Sequence, residues 1–429
     1  MTEPTTAPGH VVRGSAWMGV SVAVGAVTGA AFWLVAARLY RADQVGNASA
    51  LFTSVMFVNY ATTLGLPVAT AAFAADDSDR SSVLFTWALV LTTVTSLAGG
   101  ALYLAAVDPA AAHVLRWWGD PVGTAIFALV VAGTSLAILN DVRLVAARRW
   151  GWVLARYAAV GLLRFPLLWT PLGGSGALWV FLLGAGAPAA SGWLGCLVVN
   201  RLAPGRFALG PLPDVARRAA RYATVNYASM LAAYAPTFAV PVLVLVNVPA
   251  AENARFFVAW SVAAVAALLP QTIGQVLLVE GGKATDGVAG HVRTALGLAV
   301  GVMAAALVVT AVLGRWAMGL YGAGYADAAG LLLPLVAAGV PWALTSVLLS
   351  EARLHHDHAR TVAITAVLAL AILVPALVLV PRSGAEGAAA AWFWGQLGAA
   401  AFAVAVRRRS PRAAPRPVAV VAAEPVGAA

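Results

Sequence analysis

The chain has 429 residues, of which 61% are hydrophobic and only 10% are charged, and its mean hydropathy is +0.85. A water-soluble protein of this length needs a much larger polar surface, so the composition excludes a soluble globular fold. The net charge of +10 arises from residues in short loops and a tail rather than from one solvated domain face, which excludes nucleic acid as a partner.

Long apolar runs predict an all-α polytopic membrane protein. A bilayer core of roughly 30 Å requires about 20 apolar residues per helix, so a chain of this length accommodates roughly twelve helices with short loops. No stretch alternates apolar and polar residues as a membrane β-barrel does. We expect no cleaved signal peptide, because the first apolar run, 17–36, lacks a following cleavage site. The predicted spans are 15–37, 47–72, 82–106, 122–142, 153–170, 176–199, 223–246, 254–279, 294–314, 328–350, 361–381 and 387–406.

The positions of the cations predict the orientation in the membrane. With a cytoplasmic N-terminus, most of the 27 Lys and Arg residues fall in cytoplasmic segments, as the positive-inside rule requires. Both termini are therefore predicted to be cytoplasmic. Arginine greatly outnumbers lysine, and together with the excess of Ala and Gly this is typical of a GC-rich bacterial genome. We expect a bacterial cytoplasmic membrane.

The second half of the chain repeats the first. GNASALFTSVMF at 46–57 aligns with ENARFFVAWSVA at 252–263, and Arg143 matches Arg353 at a distance of 210 residues. Because each half holds an even number of spans, we expect parallel repeats related by a pseudo-two-fold axis along the membrane normal. The predicted domains are a cytoplasmic N-terminus at 1–14, a six-helix lobe at 15–199, a basic cytoplasmic linker at 200–222, a second six-helix lobe at 223–406 and a disordered basic cytoplasmic tail at 407–429.

Two segments resemble a known transporter family. They are AFWLVAARLYRADQVGNASALFTSVMFVNYATTLGLPVATAAF at 31–73 and LYGAGYADAAGLLLPL at 320–335. Both are similar to the polysaccharide exporter branch of the multidrug/oligosaccharidyl-lipid/polysaccharide (MOP, MATE-like) flippase superfamily, which includes O-antigen flippases and exopolysaccharide exporters. The resemblance implies two six-helix lobes around a cationic central cavity, lined largely by spans 1, 2, 7 and 8. This chain departs from the pattern at Thr70, close to the site where many relatives carry an arginine.

Arg164 is the one basic residue well inside a predicted span. A charge at that depth costs at least about 2.5–3.5 kcal/mol, so such a side chain usually faces protein or water. One interpretation is a cavity cation that binds the phosphate of a substrate. The other is a side chain that snorkels to the external interface, about 9 Å away along the helix.

Polar side chains on the spans that the resemblance assigns to the cavity are candidate sugar ligands. Gln271 and Gln275 lie four residues apart and therefore share one helical face. The alternative for each of these side chains is a hydrogen bond between helices, worth about 0.6 kcal/mol on average. Three arginines near the external ends of spans 1, 2 and 8 are further candidates at the cavity rim. The complete substrate-binding set is Arg164, Asn59, Asn226, Tyr227, Gln271, Gln275, Arg38, Arg41 and Arg255.

The distribution of carboxylates separates two transporter functions. All 17 Asp and Glu residues fall in loops, tails or helix ends, whereas a cation-coupled drug antiporter normally keeps an intramembrane carboxylate to carry the ion. The sequence therefore favours a flippase for a lipid-linked oligosaccharide of the undecaprenyl-diphosphate type, or for a related cell-surface polysaccharide precursor. A cation-coupled multidrug (MATE-type) antiporter is the alternative.

The sequence favours two non-transporter functions less. A membrane enzyme of glycan assembly is disfavoured because no extramembrane stretch is long enough to carry its chemistry, and a scaffold without transport activity remains an alternative. We expect no cofactor. We also expect no metal site, because Cys196 is the single cysteine and the adjacent residues of the HHDH cluster at 355–358 rarely converge on one ion. The expected partners are the lipid-linked substrate and membrane lipids, with glycan-assembly enzymes left open.

Overall fold

The computed structural model describes residues 7–72, 78–107, 112–115, 119–170, 176–202, 207–208, 210, 215–281, 288–355 and 357–409. Within these ranges it contains helices and no strand, which confirms the predicted all-α class. The helices are α1 (Ala7–Leu39), α2 (Ala42–Thr62), α3 (Leu66–Ala72), α4 (Ser78–Val107), α5 (Asp120–Ala146), α6 (Trp150–Leu167), α7 (Gly176–Phe181), α8 (Ala187–Leu202), α9 (Val215–Asn247), α10 (Ala250–Gly281), α11 (Val288–Gly319), α12 (Ala329–Ala337), α13 (Gly339–Leu354) and α14 (His358–Arg409). A π-helical stretch, Leu182–Gly186, joins α7 to α8, and a 3-10 helix, Ala323–Ala328, precedes α12. Residues 1–6 of the predicted N-terminus, 203–206, 209 and 211–214 of the predicted linker, and 410–429 of the predicted tail lie outside the described residues.

These elements follow the twelve predicted spans in order, six in each half of the chain. Eight helical segments in the described ranges are long and apolar enough to cross a membrane. The longest, α14, has 52 residues and at 1.5 Å per residue would measure about 78 Å, far more than a bilayer core of ~30 Å. Its backbone leaves the helical conformation at Ser383 and Gly384. A side chain at Gly395 would collide with Ile372, so the two arms of α14 pack against each other as two crossings.

Two predicted spans are not continuous helices. Span 2 breaks after Thr62, where Leu64 and Gly65 adopt φ angles of +51° and +69°, and α3 begins at Leu66. Gly65 accepts this left-handed conformation without strain, and Pro67 lies in the first turn of α3, where its missing N–H is not needed. Span 10 is interrupted at Ala338, between α12 and α13. The hydropathy pattern predicted the two crossings and missed both breaks.

The two halves form lobes that meet along α2. We call α1–α8 the first lobe and α9–α14 the second lobe; α2 packs against α9 and α10 of the second lobe. At one end of this contact, which we call the Arg41 end, a Cβ atom at Gly46 would overlap the carbonyl oxygen of Ala250. Asn253 of α10 donates a hydrogen bond from Nδ2 to the carbonyl oxygen of Gly46 (3.1 Å). The backbones of the two lobes therefore touch at the Arg41 end, and only glycine fits at position 46.

Candidate functional site

The helices expected to line a central cavity form the contact between the lobes. They are α1, α2 with α3, α9 and α10. The Tyr227 hydroxyl of α9 donates a hydrogen bond to the carbonyl oxygen of Ala61 in α2 (2.5 Å). Beside it, the ring of Tyr60 stacks on Phe238 with centroids 4.7 Å apart and meets Tyr234 edge-on at 6.0 Å. Tyr227 is thus part of the seam between the lobes.

The three predicted rim arginines lie near the Arg41 end. Arg38 Nε donates to the carbonyl oxygen of Leu320 in the second lobe (2.5 Å). Arg41 pairs with Asp43 at 3.1 Å, and its side chain is 81% exposed. Arg255 is exposed near the start of α10. Arg38 therefore connects the lobes, while Arg41 and Arg255 face the surroundings.

Asn59 points into the first lobe. Its amide nitrogen donates to the hydroxyls of Thr134 (3.2 Å) and Ser135 (2.9 Å) on α5. Ser135 accepts a further hydrogen bond from Ser96 of α4 (2.9 Å), and Ser96 in turn lies 3.1 Å from the hydroxyl of Thr62. Because both amide protons of Asn59 are used within this buried network, the geometry favours the alternative of a hydrogen bond between helices.

Arg164 is buried between α6 and α1. Only 7% of the residue is exposed, and its guanidinium carbon lies 4.5 Å from the centre of the Phe32 ring. This geometry is a cation–π contact, which a buried arginine makes with the negative face of an aromatic ring. Its Nε atom is buried and has no hydrogen-bond partner within the described residues. A snorkelling arginine would be largely exposed at the protein surface, so the burial of Arg164 favours the interpretation of an interior cation.

Phe32 places Arg164 close to the seam between the lobes. The Phe32 ring contacts Trp33 edge-on at 5.3 Å, and Trp33 contacts Phe257 of the second lobe at 4.7 Å. Two aromatic rings of α1, Phe32 and Trp33, therefore connect the guanidinium to Phe257 of α10. Among the described side chains, no hydrogen bond or ion pair joins Arg164 to another predicted ligand; these ligands are distributed along the seam, within the first lobe and within the second lobe.

A cavity of about 220 Å³ lies inside the second lobe, and we call it the second-lobe cavity. Residues of α9, α10, α12, α13 and both arms of α14 line it, and none of the lining side chains is charged. Gln271 belongs to its wall, and its Nε2 donates to the hydroxyl of Tyr234 (2.8 Å). The side chains of Asn226 and Gln275, two further predicted ligands, lie outside the described residues. Of the predicted sugar ligands, Gln271 is thus placed at a cavity.

The cavity wall also contains side chains that the sequence analysis did not single out. Trp260 and Trp392 meet edge-to-face with centroids 4.7 Å apart, and the indole N–H of Trp342 donates to the carbonyl oxygen of Ala267 (3.3 Å). Gln396 is only 3% exposed. A polar residue in the middle of an apolar span is a signal that could have been used, and Gln396 lies in the middle of the predicted span 387–406. It was missed because the family resemblance points to spans 1, 2, 7 and 8.

Two carboxylates are buried near helix ends, and arginines neutralise both. Asp141 of α5 accepts a hydrogen bond from Arg156 Nε (2.9 Å), and the other oxygen of the carboxylate bonds to Nη2 of the same arginine. Glu351 of α13 lies 3.2 Å from Arg360 Nη2 and 2.8 Å from Arg407 Nε. Glu351 follows Asp141 by 210 residues, the spacing of the sequence repeat. Neither carboxylate lines the second-lobe cavity.

No protein-family model and no curated protein sequence matches this chain. Solved structures do match over nearly the whole length. The lipid II flippase MurJ in an inward closed conformation aligns with 93% of this chain and 88% of its own, with 12% identity and a TM-score of 0.70. An inward-facing multidrug resistance MATE family transporter of the MOP superfamily aligns with 90% and 97%, with 14% identity and a TM-score of 0.65.

A MOP superfamily transporter from Pyrococcus furiosus is similar in the same way, with 16% identity and a TM-score of 0.61 over 93% of this chain and 95% of its own. Identities this low establish the fold and leave the substrate open. The three similar proteins are transporters or flippases, none of them an enzyme. The chain is therefore a multi-pass membrane protein with the two-lobed fold of the MOP superfamily transporters.

Proposed function

We propose that the protein is a flippase that moves a lipid-linked oligosaccharide, of the undecaprenyl-diphosphate type, or a related cell-surface polysaccharide precursor, across the bacterial cytoplasmic membrane. The fold is compatible with this function, since one similar structure is a lipid II flippase, but it is equally compatible with drug transport. The choice therefore depends on the charges in the interior.

The observation that carries the proposal is the positive charge balance of the buried side chains. Among the described residues, three arginines and two carboxylates are buried. Both carboxylates are held by arginines, so neither is available to carry a coupling ion. Arg164 has no anionic partner within the described ranges. An interior with a spare cation and no spare anion favours a negatively charged substrate over a cationic drug.

A diphosphate headgroup also has a driving force of its own. The cytoplasmic side of a bacterial membrane is electrically negative, so outward movement of an anion is favoured by about 2.3 kcal/mol per charge per 100 mV. A flippase of this kind needs no ion-carrying carboxylate. The membrane potential and the charge of the substrate are sufficient, in agreement with the neutralised Asp141 and Glu351.

Arg164 provides the test. Purified protein is reconstituted in liposomes that contain undecaprenyl-diphosphate-linked N-acetylglucosamine, and the appearance of the sugar in the outer leaflet is followed with a lectin at a defined membrane potential. Charge-assisted hydrogen bonds are worth about 1.5–3 kcal/mol, so Arg164→Ala is expected to slow transfer by about 10- to 100-fold. Arg164→Lys keeps the charge, loses the planar bidentate fork and should transfer at an intermediate rate.

Arg315→Ala is the matched control, because Arg315 is not among the predicted ligands, its side chain is 76% exposed, and it pairs with the equally exposed Asp327. It is expected to transfer at the rate of the unmodified protein. Normal transfer by Arg164→Ala would exclude this arginine from the site. Absence of transfer by the unmodified protein, at either sign of the potential, would overturn the proposed function.

The MATE-type antiporter remains the second candidate, because a MATE family transporter shares the fold over 90% of this chain. It makes the opposite prediction for the buried carboxylates. If the protein were a cation-coupled exporter, cells that carry Asp141→Asn or Glu351→Gln would lose resistance to a cationic dye such as ethidium. We expect no dye resistance from the unmodified protein and therefore no difference between the variants.

A further inference from the structure

Gln396 is an anomaly in the second lobe. Only 3% of the residue is exposed, although it lines the second-lobe cavity. Its Oε1 atom has no hydrogen-bond partner among the described residues. A buried acceptor without a partner is costly, and native proteins contain few of them. The oxygen itself has almost no accessible surface, so a ligand in the cavity would reach it after the amide turns about its last side-chain torsion. A hydrogen bond donated by that ligand would then remove the cost.

Indole rings provide the second feature of the cavity. Trp260, Trp342 and Trp392 all belong to its wall. The edge-to-face contact between Trp260 and Trp392 and the hydrogen bond from Trp342 to Ala267 hold the rings in fixed orientations. The face of an indole carries partial negative charge and attracts weakly positive C–H groups. Rings that are held in place in this way suit a flat ligand with C–H groups on its face.

The polar groups of the cavity wall and its lack of charged side chains restrict the ligand further. Gln271 and Tyr234 form a hydrogen-bonded pair in the wall, and the Tyr234 hydroxyl, having accepted from Gln271, can donate its own proton to a ligand. No lining side chain is charged, so a phosphate or an ammonium group would find no counter-ion there. An alkyl chain would leave the Gln396 oxygen unpartnered. A ligand with hydroxyl donors, an apolar ring face and no charge satisfies all three conditions.

The size of the cavity suits a single ring. Its volume of about 220 Å³ is below the range of about 300–1,000 Å³ that is typical for drug-sized ligands. The cavity also borders the seam between the lobes, because Tyr234 and Phe238 of its wall contact Tyr60 of the first lobe. A rearrangement of the lobes would therefore act on the cavity directly.

We propose that the second-lobe cavity is a binding site for one uncharged sugar ring, with Gln396 as hydrogen-bond acceptor and Trp260, Trp342 and Trp392 as stacking walls. The inference rests on the proposed function in that the ring would belong to the glycan of the transported substrate. Its test does not depend on transport, because binding of a free sugar is measured on the solubilised full-length protein.

The experiment follows tryptophan fluorescence while glucose or N-acetylglucosamine is added, with sorbitol as a polyol that has no ring. Glucose or N-acetylglucosamine should change the fluorescence saturably, and sorbitol should not. Gln396→Leu keeps a similar volume and removes one hydrogen bond, so binding should weaken by about 5- to 10-fold. Trp392→Leu should weaken binding and reduce the fluorescence change, while Trp260 and Trp342 remain in the wall. Trp394→Leu is the matched control, because Trp394 lies two residues after Trp392 on the same arm of α14 but is 64% exposed and does not line the cavity. This variant should bind sugar like the unmodified protein.

Thermal stability separates a binding role from a structural one. Gln396→Leu replaces a buried amide that has an unpartnered oxygen by an apolar group, so this variant should be at least as stable as the unmodified protein while it binds sugar less well. Equal responses to glucose and sorbitol, an unchanged affinity in Gln396→Leu, or no response up to molar sugar would each overturn the proposal. Sugar binding without lipid transfer in liposomes would instead overturn the proposed function and leave the cavity site in place.

Discussion

The buried triad of Glu351, Arg360 and Arg407 allows a quantitative test of the second lobe. Glu351 and Arg360 have side chains only 11% and 7% exposed, whereas Arg407 is 38% exposed. Glu351→Gln removes the negative charge and leaves Arg360 buried without an anion. Breaking a buried ion pair on one side costs about 3–5 kcal/mol. We expect about 3 kcal/mol, the lower end of this range, because Arg407 can turn towards water.

The assay is thermal unfolding of the purified full-length protein. If the second lobe unfolds as a cooperative unit of about 200 residues, a loss of 3 kcal/mol lowers its unfolding midpoint by roughly 6–12 °C. The double variant Glu351→Gln/Arg360→Leu removes the stranded charge and should recover part of this loss. Asp327→Asn is the matched control, since it breaks an ion pair with Arg315 whose side chains are 76–77% exposed, and it should cost less than about 1 kcal/mol. The reasoning is refuted if the double variant is less stable than Glu351→Gln alone.

Two further predictions concern the lobes and the membrane. Gly46→Ala places a Cβ against the carbonyl oxygen of Ala250 and should separate the lobes at the Arg41 end. The unfolding midpoint should fall, and Asn253 should become exposed to hydrogen exchange. Gly301→Ala is the control, because an added Cβ there meets nothing within 4 Å, and it should leave both measurements unchanged. A reporter fused after Arg416 should be cytoplasmic and one inserted near Gly174 external; the same location for both would show that the predicted number of spans or the orientation is wrong.

The sequence predicted the helices well because their main determinant is local. A run of about 20 apolar residues between charged breaks specifies a crossing whatever its neighbours are. The sequence accordingly predicted a boundary between two spans at Ser383 and Gly384. In the structure these two residues are the non-helical ones within α14, and helix continues directly on either side of them. Hydropathy did not show the break at Leu64 and Gly65, because a positive φ angle at a leucine within an apolar run leaves the hydropathy unchanged.

The hydrogen-bond partners and burial of the polar side chains were less predictable, because they depend on neighbouring helices. Nothing in the sequence around Asn59 shows that Thr134 and Ser135, about 75 residues away, will accept both of its amide protons. Likewise, Asp141 and Glu351 were correctly placed near helix ends, but their depth of burial follows from the arginines that cover them. Hydropathy records which residues enter the membrane and not which side chains they meet there.

Some residues related by the sequence repeat have the same structural role in both lobes, and others differ between the lobes. Residues 210 positions apart share a structural role in the case of Asp141 and Glu351, each of which is buried and held by arginine. The candidate ligands do not follow this symmetry. Arg164 is buried in the first lobe, whereas its counterpart Val374 is 55% exposed in the second.

The same asymmetry appears at the second-lobe cavity. Gln396 corresponds to Gly186, the last residue of the π-helical stretch in the first lobe, so the first lobe has no amide at the equivalent position. Under the two proposals, the first lobe binds the phosphate and the second lobe binds a sugar ring of one substrate. Such a substrate bridges the seam, and its affinity then depends on the relative position of the lobes. A ligand that binds two conformations with different affinity shifts the balance between them, which is the requirement for coupling substrate binding to alternating access.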